Sequence, residues 1–379
     1  MNENRREIVK KIIIMAASCL LLGLILRNVV FHDERLISMP ASSILRDVTY
    51  CTYDGVESKM DLYFPIKFGA SPSPLLVYVH GGAWIFGDKE VNTGTPDMPE
   101  LLSRGYVIAT VNYRLAPDHQ FPAQIEDVKC AVRYIRANSE KYNIDPDNIG
   151  AWGDSAGGHL VSLLGLTNEN AGFDTGEYLE YSSSIQAVVD YFGPTNLTNP
   201  NFYNLYSVAL EEIFGSYENM VNASPVKYVS NDSPPFLIFQ GDKDMIVFQS
   251  QAEELYNKLI AENATAELVI VKGATHGFVD VGGGITPTRE EITKMVADFF
   301  DKYLKNKPVI TETVTEIPYV LDYPGKKIYF QEIYKGRISE NTLGSPVQGL
   351  LKEGWRIAYK DFPQHNTTMQ RIEISLRSQ

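Results

Sequence analysis

A serine placed between glycines is the first feature of this sequence that could support covalent chemistry. The segment 153–157 reads Gly-Asp-Ser-Ala-Gly, with an apolar run before it (148–152) and a helix-like run after it (159–164). This pattern is typical of a serine on a sharp turn between a strand and a helix, where the hydroxyl is exposed for attack on a carbonyl carbon. The flanking glycines are needed because strand and helix approach too closely for a Cβ atom. Ser155 is therefore the candidate nucleophile.

A serine hydroxyl becomes a useful nucleophile only when a base takes its proton and a third group orients that base. Two apolar runs downstream, 235–239 and 266–271, predict strands, and they lead into Asp244 and His276 respectively. The chain order Ser155, Asp244, His276 is the order expected of an α/β-hydrolase, with each residue on a loop at the carboxyl end of a strand. Asp242 follows the same strand as Asp244 and competes with it for the role of the acid.

Stabilisation of the oxyanion that forms after the attack needs backbone N–H donors near the serine. The apolar run 74–79 predicts a buried strand, and it leads directly into His80-Gly81-Gly82-Ala83-Trp84. Two consecutive glycines leave the amides of Gly81 and Gly82 free to point at a developing negative charge. The amide of Ala156, directly after the serine, is the expected partner donor.

The stretch from about residue 48 to 303 resembles the hormone-sensitive-lipase-like esterases, and within them the bacterial feruloyl/acetyl esterase branch. The resembling segments lie in the same order and spacing, and they are 80–84 (HGGAW), 113–117 (YRLAP), 121–124 (FPAQ), 153–160 (GDSAGGHL), 241–244 (GDKD) and 276–278 (HGF). The resemblance implies Ser155 as nucleophile, His276 as base and Asp244, rather than Asp242, as the acid. Ala83 is a departure, because the family often has a third glycine there. Since Ala83 leaves the Gly81 and Gly82 amides in place, the oxyanion hole is expected to survive.

Aromatic residues close to these motifs are the candidate substrate contacts, and they are Trp84, Phe278 and Tyr206. Tyr206 belongs to the segment 201–217, which is rich in aromatic residues and lies between two predicted strands. This segment forms either a small lid or wall of the acyl pocket, or a helix packed on the sheet by its aromatic stripe. His80 is expected to brace its turn, and His159 is expected to be packed in the helix after the serine.

The elements that must position these residues alternate between strand and helix along the chain. Periodicity predicts strands near 46–53, 58–64, 74–79, 106–113, 148–152, 186–191, 235–240 and 266–271. It predicts helices over 122–140, 156–166, 248–262 and 287–304. Such alternation indicates an α/β fold, here an eight-stranded, mostly parallel sheet with helices on both faces and the site at the carboxyl edge of the strands.

Composition excludes several classes of function. The chain has 379 residues, 44% hydrophobic and 21% charged, as in an ordinary globular protein. A formal net charge of −13 argues against binding of nucleic acid, whose phosphates it would repel. We find no glycine-rich phosphate loop and no metal-ligand spacing in the sequence, so neither a cofactor nor a metal is expected. The sequence leaves the oligomeric state open.

The first 35 residues predict where the chain is located. A basic stretch (5–11) precedes an uncharged apolar run, Ile12 to Leu26. The segment 27–32 offers no small-residue cleavage site, so we expect an uncleaved anchor that associates the chain with a membrane. Cleaved secretion and lipidation at Cys19 are the alternatives. Basic residues on the amino-terminal side place the catalytic domain, residues 36–304, outside the cytoplasm.

The pattern changes after residue 304. The segment 305–308 is typical of a linker, and 309–379 does not continue the alternation. Two short apolar runs, 319–321 and 327–330, flank the turn sequence 322–325, which predicts a hairpin. Further strands are expected at 356–359 and 371–374. Residues 305–379 are therefore predicted to form a small β-rich module, whose role as an envelope-binding unit or as an appendage without a ligand stays open.

The three cysteines cannot form a disulfide framework. Cys51 lies in a predicted strand and Cys130 in a predicted helix. Both are expected to be buried thiols, because free cysteine packs as a small hydrophobe. A Cys51–Cys130 bridge remains an alternative for an exported protein.

Taken with the resemblance, the triad predicts a serine carboxylesterase acting on short-chain acyl or feruloyl esters, such as those carried by polysaccharides. A peptidase, lactonase or formamidase built on the same residues is one alternative, because a fold does not determine a substrate. A non-catalytic envelope or binding protein is the other. An intact set of Ser155, Asp244, His276 and two oxyanion glycines argues against that second alternative.

Overall fold

The computed structural model describes residues 41–66, 71–90 and 97–305, and the strands at 315–323, 326–334 and 356–359. The predicted anchor (12–26), Cys19 and the predicted strand 371–374 lie outside these residues. Within the described ranges, no helix is both long and apolar enough to cross a membrane. The chain divides into two compact units, with the division between Lys307 and Pro308.

The first unit contains the predicted eight-stranded sheet. Its strands are β1 (Ala41–Tyr53), β2 (Val56–Pro65), β3 (Ser73–Val79), β4 (Val107–Val111), β5 (Ile144–Asp154), β6 (Ala187–Tyr191), β7 (Phe236–Gly241) and β8 (Ala266–Val271). The spatial order is β1-β2-β4-β3-β5-β6-β7-β8. Strands β3 to β8 are parallel to one another, whereas β2 runs antiparallel to both of its neighbours. The predicted fold class, an α/β-hydrolase fold, is therefore confirmed.

Helices cover both faces of this sheet. They are α1 (Met98–Ser103), α2 (Ala123–Ala137), α3 (Ser139–Tyr142), α4 (Ala156–Leu166), α5 (Pro200–Phe214), α6 (Tyr217–Asn222), α7 (Gln249–Ala261) and α8 (Arg289–Phe300). Successive residues of β3 alternate between two separate apolar cores, with Leu75 and Val77 in one and Leu76 and Tyr78 in the other. The strands must be apolar on both sides because neither face of a parallel sheet meets water.

Residues 201–214 of the aromatic-rich segment form part of α5, as one of its two interpretations predicts. Phe202 and Phe214 of α5 are buried in the core, and Leu210 is buried with them. The sequence did not predict α1 and α6 as separate helices, because each spans only six residues. So short a helix forms through tertiary packing rather than through its own propensity.

The second unit contains a three-stranded antiparallel sheet in the order β10-β9-β11. Its strands are β9 (Thr315–Tyr323), β10 (Lys326–Tyr334) and β11 (Arg356–Tyr359). Strands β9 and β10 pair from Tyr323 opposite Lys326 onward, so the predicted hairpin is present.

A disulfide joins Cys51 of β1 to Cys130 of α2. Both cysteines are buried as predicted, but the expectation of two separate thiols is wrong. Packing of α2 against β1 brings the two Cα atoms to 6.4 Å, which is within the span of a disulfide. Sequence spacing could not predict this pairing, because the two residues are 79 positions apart.

Reduction of this disulfide is expected to lower the free energy of unfolding by roughly 4–5 kcal/mol, because the bond closes a long loop in the unfolded chain. Urea unfolding of the protein with and without a reductant measures the effect. The Cys51→Ala/Cys130→Ala double variant is the control, and its unfolding midpoint should not respond to the reductant. Equal midpoints for the oxidised and reduced wild-type protein would contradict the prediction.

Candidate active site

Ser155 lies on a sharp turn between β5 and α4. Its backbone angles are φ 56° and ψ −117°, a strained conformation for a residue with a side chain. The Ser155 amide donates to the Tyr191 carbonyl (2.8 Å), and the Ser155 carbonyl accepts from the His159 amide (3.0 Å). A Cβ atom on Gly157 would lie 2.0 Å from the Val79 carbonyl oxygen, so only glycine permits this approach of helix and strand. The turn is therefore held from both sides.

A chain of hydrogen bonds runs from Ser155 through His276 to Asp244. His276 Nε2 lies 2.9 Å from Ser155 Oγ, and His276 Nδ1 lies 2.8 Å from Asp244 Oδ2. An ionised carboxylate can only accept, so Nδ1 carries the ring proton and Nε2 is left to accept from the serine. The structure thus brings together three residues from separate loops, in the geometry of a nucleophile, its base and the acid that orients the base.

The Asp244 carboxylate is held by further donors. Its Oδ1 accepts from the amides of Ile246 (2.8 Å) and Val247 (2.9 Å), and its Oδ2 accepts from Gln240 Nε2 (3.1 Å) as well as from His276. Sequence analysis missed Gln240. The available signal was a polar residue at the end of the otherwise apolar run of β7, because a buried polar side chain needs a partner.

Asp242 has a different task, although it lies only two residues away. Its Oδ1 accepts from the Gly273 amide (2.8 Å), which ties the end of β7 to the turn after β8. The structure places Asp244, and not Asp242, against the imidazole of His276.

The amides proposed for the oxyanion hole lie on two neighbouring turns. Ala156 opens α4, where the first N–H groups have no acceptor within the helix. Among the described residues, Gly81 and Gly82 donate no backbone hydrogen bond outside regular strands and helices. Gly82 has φ +120°, and a Cβ there would lie 2.0 Å from the Phe86 carbonyl oxygen. Ala83 also adopts a positive φ (51°), so the position where the family often has glycine keeps a left-handed backbone here.

Two of the three candidate substrate contacts lie mostly within the core. The Trp84 side chain is 5% exposed and packs edge-on against His159 and Phe214. Phe278 is also 5% exposed and packs edge-on against Phe192 of the core. Tyr206 is half-buried on α5 beside Phe202. Burial leaves Trp84 and Phe278 little surface for contact with a substrate. Contact of Tyr206 with a substrate stays a prediction.

His80 stabilises the turn formed by residues 80–84, here called the oxyanion loop, as expected. Its ring stacks on Tyr113 at 4.3 Å between centroids, and its Nδ1 donates to the Gly81 carbonyl (2.7 Å). Burial lowers the pKa of His80 to about 4, so the ring is neutral at physiological pH. A neutral, fixed ring is suited to support rather than to proton transfer.

Asp190 is a buried carboxyl group that sequence analysis missed. It lies on β6, where Oδ1 accepts from the Gly193 amide (2.8 Å) and Oδ2 lies 3.2 Å from Ser162 Oγ of α4. It therefore holds the end of β6 against α4, the helix that begins directly after Ser155. Burial raises the pKa of Asp190 to about 7. A lone carboxylate within the apolar strand 187–191 was the available signal.

Replacing Asp190 with asparagine is expected to change how stability depends on pH. The folded-state pKa lies above the ordinary value of 3.8, so the folded state binds the proton more tightly. The stability from this group is therefore present at low pH and is lost as pH rises through 7. Between about pH 5 and pH 8, the free energy of unfolding of Asp190→Asn should gain roughly 2–3 kcal/mol relative to the wild type. Urea unfolding at each pH measures the effect. A constant difference in the free energy of unfolding between wild type and variant, from pH 5 to pH 8, would contradict the prediction.

The arrangement can perform acyl transfer. A serine with an oriented base lies next to a turn whose backbone amides can accept a developing negative charge. Among the residues that the structure describes, no cluster of histidine, cysteine and acidic side chains could hold a metal ion.

Known proteins share this fold and sequence pattern. The chain is 32% identical to esterase LipC of Mycobacterium tuberculosis over 62% of its own length and 60% of that protein's. It is 32% identical to the probable carboxylic ester hydrolase LipM of the same organism, over 56% of its own length and 51% of that protein's. A truncated carbohydrate esterase from gut microbiota superposes with a TM-score of 0.58 at 29% identity, over 70% of this chain and 97% of that one.

The chain thus spans between half and two thirds of the length of these two curated relatives. A family model, BD-FAE, matches residues 60–259, which is more than half of the chain. The matched range contains the glycine-rich turn, the serine turn and Asp244. This chain belongs to the BD-FAE family.

Proposed function

We propose that the protein is a serine carboxylesterase in which Ser155, His276 and Asp244 form the catalytic triad. The observation that carries the proposal is the unbroken chain of hydrogen bonds from Ser155 Oγ to Asp244 Oδ2 through His276, at 2.9 Å and 2.8 Å. The similarity to LipC and LipM, both named as ester hydrolases, supports it. A non-catalytic binding protein would have no use for this geometry.

The geometry supports a two-step reaction. Ser155 Oγ attacks the ester carbonyl carbon while His276 Nε2 takes its proton, and the amides of Gly81, Gly82 and Ala156 hold the oxyanion. Collapse of this intermediate breaks the C–O bond, and the alcohol leaves with the proton from His276. Water then gives a proton to His276 and attacks the acyl-enzyme, which releases the carboxylic acid and restores Ser155.

The proposed substrates are esters of short acyl groups or of ferulate, including those carried by polysaccharides. Membership of the BD-FAE family and the likeness to a structure described as a carbohydrate esterase support this class.

The proposed location is outside the cytoplasm, with the chain anchored in a membrane through residues 12–26. The Cys51–Cys130 disulfide supports an oxidising compartment. We expect detergent to be required to extract the full chain from cells, and protease added outside the membrane to cleave it. Recovery from the soluble cytoplasmic fraction with both cysteines reduced would contradict this location.

Hydrolysis of a p-nitrophenyl ester series from acetyl to decanoyl, together with methyl ferulate, tests the proposal. The full chain in detergent is compared with the Ser155→Ala variant. Serine-dependent turnover that is fastest for acetyl to butyryl esters, or for methyl ferulate, is the expected result. Turnover confined to amide, formamide or lactone substrates would indicate another hydrolase specificity. Inertness of the wild type on all of these, with no labelling of Ser155 by a fluorophosphonate, would overturn the proposal.

A further inference from the structure

His159 connects three elements of the active-site region. It lies in the second turn of α4, and its ring is completely buried. Trp84 Nε1 donates to His159 Nδ1 at 3.1 Å, and His159 Nε2 lies 2.7 Å from the Ala223 carbonyl oxygen. A carbonyl can only accept, so Nε2 carries the proton and Nδ1 accepts from the indole. The two bonds therefore select a single neutral tautomer. Burial also lowers the pKa of His159 to about 4, which keeps this tautomer neutral.

Trp84 belongs to the oxyanion loop, whose backbone is strained. Ala83 and Trp84 have φ values of 51° and 60°, and left-handed geometry costs about 1 kcal/mol or more for each residue with a side chain. Such a loop needs other contacts to hold it. On the backbone, the Trp84 carbonyl accepts from the Ala116 amide at 2.9 Å. On the side chain, the only polar atom of the indole is bound by His159.

His159 is also linked to the nucleophile through its backbone. Its amide donates to the Ser155 carbonyl at 3.0 Å, so one residue contacts both the serine turn and, through Trp84, the oxyanion loop. Its second ring nitrogen reaches Ala223, which directly follows α6. The rings of Trp84, His159 and Phe214 pack edge to face, with the indole centroid 5.0 Å from each of the other two.

We propose that His159 is a positioning residue that sets the place of the oxyanion loop relative to Ser155 by accepting the indole N–H of Trp84. This inference rests on the proposed esterase function. His159 touches neither the substrate nor the proton transferred in the reaction. Its effect reaches the reaction through Gly81 and Gly82, which precede Trp84 in the same loop. Displaced amide donors would stabilise the transition state less while leaving ground-state binding almost unchanged.

Three variants separate the two hydrogen bonds of His159. His159→Asn keeps an acceptor, Oδ1, at the place of Nδ1 but is too short to reach Ala223. His159→Leu removes both bonds, and Trp84→Phe removes the donor while keeping an aromatic ring. We expect His159→Leu and Trp84→Phe each to lower kcat by about 10- to 100-fold with KM changed by less than about threefold. We expect the kcat of His159→Asn to stay within about fivefold of the wild-type value. The His159→Leu/Trp84→Phe double variant should have a kcat no lower than that of the slower single variant.

A role in packing alone would give different results. Each variant is first compared with the wild type by near-ultraviolet circular dichroism, and kcat is expressed per folded molecule. Affinity for a trifluoromethyl ketone, which mimics the tetrahedral intermediate, should fall by the same factor as kcat/KM. Unchanged kcat in folded His159→Leu, or equal losses in the Asn and Leu variants, would overturn the proposal. If His159→Leu does not fold, the kcat values of His159→Asn and Trp84→Phe are compared instead. Equal losses of kcat in these two variants would overturn the proposal.

Failure of the proposed function is distinguishable from failure of this inference. Fluorophosphonate labelling of Ser155 in the wild type tests the function without reference to His159. The indole N–H resonance of Trp84, assigned with the Trp84→Phe variant, tests the hydrogen bond without reference to activity. We expect this resonance to move upfield in His159→Leu and to stay close to its wild-type position in His159→Asn. An unchanged resonance in His159→Leu would overturn the inference even in an active esterase.

Discussion

Replacing His276 with alanine is expected to lower kcat by about 10⁶-fold, as much as replacing Ser155. His276 is the residue that bonds to both other members of the triad, at 2.9 Å to Ser155 and 2.8 Å to Asp244. Without it, the serine keeps its proton and the leaving alcohol receives none. Steady-state hydrolysis of p-nitrophenyl acetate, measured at high enzyme concentration, gives the size of the loss.

The His276→Ala/Ser155→Ala double variant should be no slower than either single variant, because the two residues act in one step. His119→Ala is the matched control. His119 is a half-buried histidine whose ring has no hydrogen-bond partner among the described residues, so its kcat should stay within about twofold of the wild type. Additive losses in the double variant would show that the two side chains act independently and would contradict the triad.

Replacing Asp244 with asparagine is expected to lower kcat by about 10⁴-fold, the second largest effect. The volume is unchanged, but an amide group cannot present two acceptor oxygens. Oδ1 accepts from two backbone amides, which cannot become acceptors, whereas the imidazole next to Oδ2 can change its tautomer. The new NH₂ group would therefore fall at Oδ2, where it faces His276 Nδ1. The imidazole would then have to accept at Nδ1, which moves its proton to Nε2 and removes the base for Ser155.

Asp242→Asn is the matched control for that variant. Asp242 lies two residues away in the same loop, but its Oδ1 accepts from the Gly273 amide, and an asparagine keeps that acceptor. Its kcat is expected to stay within about threefold of the wild type. The two variants are compared by kcat and by unfolding midpoint under the same conditions. A larger loss of kcat in Asp242→Asn than in Asp244→Asn would exchange the roles of the two carboxylates.

The turns and the strands of the first unit can be predicted from short stretches of sequence. Three kinds of pattern each lie within about ten residues of sequence. They are the Gly-x-Ser-x-Gly turn, the paired glycines Gly81 and Gly82, and the eight apolar runs. Steric demands on a turn and burial of a strand act on neighbouring residues, so these features can be predicted from the residues themselves. The predicted strands and the residues of the triad follow from such patterns.

In the second unit, the hairpin could be predicted from local sequence, but the pairing of the third strand could not. The turn sequence 322–325 predicts the hairpin of β9 and β10, because a turn and its flanking runs are local. The position of β11 next to β9, rather than next to β10, depends on pairing across more than thirty residues of chain and has no local signal.

The fold class, the turn that carries Ser155 and the order of the triad could be predicted from the residues alone, because these features depend on local geometry and chain order. Contacts between residues far apart in the chain could not be predicted in this way. The tertiary structure joined Cys51 to Cys130 and paired His159 with Trp84, 75 residues away. A hydrogen bond or disulfide depends on distances of a few ångströms. Those distances arise only when helices and strands have packed, so no pattern in the chain contains them.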